Sequence, residues 1–129
     1  DVSKSDVLMT LEAFLINSTR KGQRCLIIVD EAQSIIGYAG VFAPGGAEAD
    51  VLTVGVVPSH RGKGIARQLM ALLTDWAHNQ GSTAMMLEVK VDNVEAIGLY
   101  ESLGYSKLNT RKDYFGPGLD ALVMRLELS

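Results

Sequence analysis

Three places in the chain hold residues suited to chemistry. Between Ser59 and Gln68 it reads SHRGKGIARQ, with Gly62 and Gly64 interleaved among Arg61, Lys63 and Arg67 ahead of an apolar helical pattern. A glycine-rich loop entering a helix suits an anion, because the first helical N–H groups lack internal partners and the helix dipole favours negative charge. Glycine lets a phosphate approach the backbone, and the cations add charge-assisted contacts. On these residues alone, a basic loop capping an ordinary helix is an equal alternative. Two other phosphate motifs fail on spacing: the dinucleotide fingerprint needs a third glycine, and a P-loop ends in Gly-Lys-Ser/Thr.

The second place is Glu88, a carboxylate among Met86, Leu87 and Val89. It is costly to bury without a partner or a role, unless it points to the wet face of its strand. The third is Tyr100 in GLYESLGY, either a proton donor or a core aromatic beside Ile97, Leu99 and Leu103. Gly55, inside VLTVGVV, marks a bulge or a close backbone approach. Asn93 suits a helix start. The two histidines, His60 and His78, lie apart and do not suggest a metal.

The elements that must position these residues follow from periodicity. Val7, Leu8, Leu11, Phe14 and Leu15 predict a helix over Ser5 to Ser18. CLIIVD and SIIGYAGVFA predict a hairpin, and ADVLTVGVV a third strand, apolar enough to be buried on both faces. Ile65, Leu69, Leu72, Leu73 and Trp76 predict a helix from Gly64 to about Asn79, with Gly81 as its stop. TAMMLEVKV reads as a strand. DNVEAIGLYESLG reads as a short helix with Asp92 and Glu95 as a capping box and Gly104 as its close. YSKLNTRKDYF and LDALVMRLEL make a closing antiparallel pair around GPG. Antiparallel strands followed by strand–helix–strand crossovers predict an α/β chain of mixed, α+β character, with one mixed sheet flanked by helices.

A length of 129 residues fits one domain, 1–129, with a modest core. A net charge of −3 argues against a nucleic-acid surface. Cys25 is the single cysteine, which excludes an intrachain disulfide and a two-cysteine metal site and predicts a reduced, cytoplasmic setting. The apolar runs are too short to cross a bilayer, and no signal peptide is visible, so no membrane partner is expected.

Arg61-x-x-Gly64-x-Ala66 after VLTVGVVPSH resembles the acetyl-CoA signature of the GNAT superfamily of N-acetyltransferases. LEVKVDNVEAIGLYESLGY and RKDYFGPGLDALVMRLEL resemble the second half and the closing pair of the same fold. Roughly Ile27 to Leu128 is covered, and the pattern is most similar to the bacterial ribosomal-protein alanine N-acetyltransferase branch. The resemblance implies a mostly antiparallel sheet splayed at an acetyl-CoA site. It places the backbone of Arg61, Gly62, Lys63, Gly64, Ile65, Ala66 and Arg67 at the CoA pyrophosphate. Val54, Gly55 and Val56 fall on a bulged strand that pairs with pantetheine, and the Val56 N–H on the thioester oxygen. Asn93 falls at a cofactor contact. Glu88 matches the general base and Tyr100 the general acid beside the sulfur. Acetyl-CoA is the implied co-substrate, with no metal, and the N-terminus of a protein, a ribosomal protein beginning with alanine, is the implied acceptor.

The beginning departs from the family. Members carry a first strand and helix ahead of the region matched by Ser5 to Ser18, and the resemblance implies that both are missing here, leaving a domain short at its N-terminus. Two other functions stay open at this point: acetylation of a small amine or lysine, and a non-catalytic acyl-CoA-binding module that works with a partner.

Overall fold

The structure, a computed structural model, describes residues 9–12, 22–29 and 34–128. Among the described residues, seven strands form one sheet: β1 Met9–Glu12, β2 Gln23–Val29, β3 Ile35–Phe42, β4 Glu48–Val56, β5 Ala84–Lys90, β6 Ser106–Arg111 and β7 Ala121–Glu127. Their order across the sheet is β1-β2-β3-β4-β5-β7-β6, and every neighbouring pair is antiparallel except β4 and β5. Helix α1, Ile65–Asn79, links β4 to β5, and helix α2, Val94–Ser102, links β5 to β6. The α/β character, the mixed and mostly antiparallel sheet, and the β2–β3 hairpin are as the sequence predicts.

The predicted helix over Ser5 to Ser18 is corrected where the chain is described. Met9–Glu12 is a strand, antiparallel to β2. The sheet therefore carries a strand ahead of the hairpin, where the resemblance implied that one is missing. MTLE alternates apolar and polar residues, and pairing with the edge of β2 overrides the weak helical spacing around it. The rest of that prediction, residues 5–8 and 13–18, lies outside the described residues.

One layer of core holds the helices to the sheet. Ile65, Leu69, Met70, Leu73 and Ala77 of α1 are buried against Ala39 and Val41 of β3, Met85 and Leu87 of β5, and Met124 of β7. The expected stripe is corrected at one position, where Leu72 is 43% exposed; Trp76 is half-buried and packs against the core. Counting about 100° per residue, the buried arc is centred near Leu73, and Leu72 falls on its rim. The helix ends at Asn79 with Gln80 as its C-cap, followed by Gly81 with φ 91°.

Strand β4 is also corrected. Apart from Ala49 it is half-buried or exposed, and Leu52 is 47% exposed. The cause is its pairing. β4 meets β5 only at Glu48, Ala49 and Asp50, opposite Ala84, Met85 and Met86, and beyond Asp50 the two strands are unpaired. The paired end is tied across β5, since Arg125 of β7 bonds Glu48 of β4 as well as Glu127. At the far edge, every residue of β6 is exposed, and Leu108 is an extra residue between the pairs Lys107–Met124 and Asn109–Val123.

Leu73 has no exposed surface, so Leu73→Ala should cost about 2–5 kcal/mol in urea unfolding. Leu72→Ala on the rim should stay within about 0.5 kcal/mol of the parent.

Candidate functional site

Where β4 and β5 part, a cleft of about 550 Å³ opens on the side of the sheet that carries the helices. Three elements line it: the end of β4, the loop into α1, and the face of α2.

The β4 side offers backbone that β5 does not pair. Val57 N–H donates to Ile36 O of β3 at 2.9 Å. Successive backbone groups of a strand point to opposite edges, so the N–H and carbonyl of Val56 face the cleft. The Val56 carbonyl there accepts from Arg61 Nε at 3.0 Å. Val54, Gly55 and Val56 all line the cleft. The expected bulge lies elsewhere in the strand: the register with β3 shifts at Leu52, and Gly55 stands in regular pairing opposite Tyr38. Gly55 marks a close approach instead, because a Cβ there would lie 2.2 Å from Tyr38 Cζ.

The loop takes its shape from its glycines. Gly62 has φ 78° and Gly64 φ 82°, a region that residues with a Cβ rarely adopt. No atom lies within 4 Å of a Cβ built at either position, so conformation and not crowding requires glycine. Gly64 is the N-cap of α1 without any side-chain cap, and the first internal bond is Gln68 N–H to Gly64 O at 3.0 Å. The N–H groups of Ile65, Ala66 and Arg67 thus precede the helical ladder, beside the cleft, with no acidic side chain in the first turn. Lys63 is not among the lining residues, whereas His60, Arg61, Gly62 and Gly64 are. His60 Nδ1 lies 3.0 Å from Ser59 Oγ. Arg67 Nη2 donates to Ser102 Oγ at 2.8 Å, and Ser102 donates in turn to Leu99 O at 2.6 Å, which joins the start of α1 to the end of α2.

On α2, Asn93 is the N-cap, its Oδ1 accepting from Ala96 N–H at 3.2 Å; the predicted cap at Asp92 is corrected by one residue. Asn93, Glu95, Ala96, Leu99 and Tyr100 line the cleft. The helix closes in a Schellman turn: Gly104 has φ 102°, its N–H reaches Glu101 O, and Tyr105 N–H reaches Tyr100 O, both at 3.0 Å. The apolar contact typical of that turn is the pair of rings, Tyr100 on Tyr105, with centroids 5.9 Å apart. Burial pushes the Tyr100 phenol above its ordinary range. Burial, and secondarily the neighbouring Tyr100, pushes Tyr105 up further.

Glu88 is not part of this lining. Alternation along β5 turns Met85, Leu87 and Val89 into the core and Glu88 to the opposite face, two residues past the last pair with β4. It is partly buried there, 3.5 Å from Arg111 Nη1, and the Arg111 guanidinium lies 4.5 Å from the centroid of the Tyr114 ring. The structure thus brings together every expected cofactor-side residue except Lys63, adds Tyr100, and sets Glu88 on the other side of the sheet. Sequence reading missed three participants. Glu95 was visible only as a capping residue, Arg111 only as part of a strand, and Tyr38 carried no signal beyond its place in GYAG. Among the described residues, no three His, Cys, Asp or Glu cluster to hold a metal, and no helix is long and apolar enough to span a membrane.

The chain is similar to known acetyltransferases. The chain is 38% identical over 96 residues to the N-alpha-acetyltransferase RimI of Mycobacterium tuberculosis, covering 71% of this chain and 59% of that one. It is 34% identical over 97 residues to the mycothiol acetyltransferase of Renibacterium salmoninarum, covering 71% and 29%. The chain thus spans less than two thirds of the length of these curated relatives. Among solved structures, the ribosomal-protein-S18-alanine N-acetyltransferase of Escherichia coli superposes with a TM-score of 0.75 at 27% identity, covering 85% of this chain and 72% of that one. The family model for acetyltransferases of the GNAT type matches residues 3–105, and the chain belongs to the acetyltransferase (GNAT) family.

Proposed function

We propose that this chain is an acetyl-CoA-dependent N-acetyltransferase acting on the N-terminal α-amine of a protein, a ribosomal protein beginning with alanine being the favoured acceptor. The observation that carries the reading is the convergence, in one cleft, of an unpaired strand edge at Val56, an uncapped helix N-terminus and the Tyr100 phenol. These fit the parts of one molecule. The open N–H groups after Gly64 suit a pyrophosphate, the edge of β4 suits the amides of pantetheine, and Tyr100 suits the sulfur. Asn93 adds a polar contact at the start of α2. Acetyl-CoA supplies the activated acetyl thioester; the rest of the chemistry falls to this chain's residues.

The Val56 N–H would stabilise charge developing on the thioester oxygen. Glu88 would take a proton from the amine, through a water, since it stands on the face opposite the cleft. An α-amine has a pKa of about 7.7–8.0, so a fraction is already neutral and the demand on the base is modest. The new C–N bond forms as the C–S bond breaks, and Tyr100 returns a proton to the departing thiolate. Its raised pKa keeps it protonated for that task. Support for the acceptor comes from the RimI relative and the S18-alanine acetyltransferase structure. The mycothiol acetyltransferase relative favours a second reading, the same transfer to a small amine.

The deciding experiment is acetyl-CoA turnover against peptides beginning Ala-Arg, with polyamines and aminoglycosides in parallel. Peptide turnover supports the first reading, and small-amine turnover alone replaces it with the second. Glu88→Gln should lower kcat about a hundredfold, and Tyr100→Phe by about 10²–10⁴. Turnover untouched by both changes would refute the mechanism, and acetyl-CoA binding without turnover of any acceptor would leave an acyl-CoA-binding module. Gly64→Val forces a side chain onto a positive φ at the proposed pyrophosphate seat. It should abolish acetyl-CoA binding in calorimetry while the circular dichroism spectrum is kept.

The two buried phenols also give a pH test. Because folding raises their pKa values, their neutral forms are favoured in the folded chain. The associated stability is present below the ordinary tyrosine value of about 10 and is lost as pH climbs through the folded values. In an absorbance titration of phenolate, Tyr100→Phe and Tyr105→Phe should each remove amplitude from the most alkaline part of the curve.

A further inference from the structure

Tyr38 of β3 is an exposed aromatic whose ring lies over Gly55 of β4. Gly37 and Tyr38 are successive residues of β3, so they face opposite sides of the sheet. A Cβ on Gly37 would meet Ile65 Cγ2 at 2.8 Å and Leu69 Cδ1 at 3.3 Å, which identifies the Gly37 side as the α1 side. Tyr38 therefore lies on the other face, 44% exposed. It pairs with Gly55, and its ring lies over that glycine: a built Cβ would come within 2.3 Å of the hydroxyl oxygen and 2.7 Å of Cε2. The tip of the ring thus reaches the peptide that ends in the Val56 N–H.

Glu88 shares this face. In the paired part of β4 and β5, Ala49 and Met85 lie in the core, and Leu87 and Val89 continue that side, leaving Glu88 on the side of Tyr38. The two residues stand on opposite banks of the gap between β4 and β5, Tyr38 on the β3–β4 bank and Glu88 on β5. The cleft occupies the helix side of the gap, so a nucleophile aimed at a carbonyl held by Val56 comes in between these two side chains.

We infer that Tyr38 is the size-selecting wall of the acceptor site: its ring, seated on Gly55, restricts the group beside the attacking amine to a small one. This rests on the N-terminal acetylation reading, under which that group is the first side chain of the acceptor. Gly55 lacks a side chain because Tyr38 occupies its place, so the two positions form one device.

The test uses the full chain and peptides that differ only at the first residue, Ala, Met or Phe. Tyr38→Ala should leave acetyl-CoA affinity by calorimetry unchanged. It should lower the kcat/KM preference for Ala over Phe by about tenfold or more, the range over which an apolar pocket sorts side chains by size. Tyr38→Phe keeps the ring and should keep the preference. Gly55→Ala should lower Tm, and Tyr38→Ala in the same chain should recover most of that loss, because the clash needs both partners. An unchanged preference in Tyr38→Ala overturns the inference. So does an equal loss of acetyl-CoA affinity, or a Gly55→Ala cost that is the same with and without the ring. If the parent chain acetylates small amines and no peptide, the N-terminal reading fails separately. Amines graded in bulk then replace the peptides, and Tyr38→Ala must still flatten their size preference.

Discussion

The rest of the molecule depends on the separation of β4 from β5 after three paired residues. A sheet gains from pairing every backbone group, and an interior pair of strands left unzipped exposes N–H and carbonyl groups that must find partners elsewhere. Here the parting is held from both ends. Below it, the Arg125 guanidinium bridges Glu48 and Glu127 across the paired segment. Above it, α1 wedges Ile65 against β3, and its loop fastens the end of β4 through Arg61. The opening is built into the packing and does not require a mobile lid.

From that gap follow the division of labour between the two faces of the sheet and the placement of each group. One face carries the helices, and with them the helix N-terminus and the Tyr100 phenol. The other carries Tyr38, Glu88 and Arg111. Strand alternation makes the assignment strict, since a shift of one residue in β5 would send Glu88 into the core and Leu87 to the surface. The cross-link from Arg67 through Ser102 to Leu99 then sets the distance between the loop and the closing turn of α2.

Much of this was legible in the sequence because it rests on local rules. Glycines in SHRGKGIARQ announced a loop leading into a helix, and Gly81 and Gly104 announced helix ends, since backbone conformation there is a property of a few residues. Asn93 was read as a helix starter, although the capping box was assigned one residue too early. What stayed hidden depends on neighbours distant in sequence. VLTVGVV has the composition of a strand buried on both faces, yet its exposure is decided by how far β5 runs beside it. Gly55 signalled a close approach without naming Tyr38, which comes seventeen positions earlier. The Arg111 partner of Glu88 comes from a strand two places away in the sheet. Met9–Glu12 was misread because four residues carry too little periodicity to outweigh the edge available to them.

The outer strand β6 has a consequence of a different kind. A sheet whose last strand is fully exposed offers a template on which another chain can add, strand after strand. β6 interrupts that template with the extra residue at Leu108, while Lys107 and Arg111 place cations along the edge. An incoming strand would lose register at the bulge and meet charge on either side of it. The sheet can therefore end in an open edge without seeding aggregation, and the hairpin that holds Arg111 beside Glu88 is left out of any such growth.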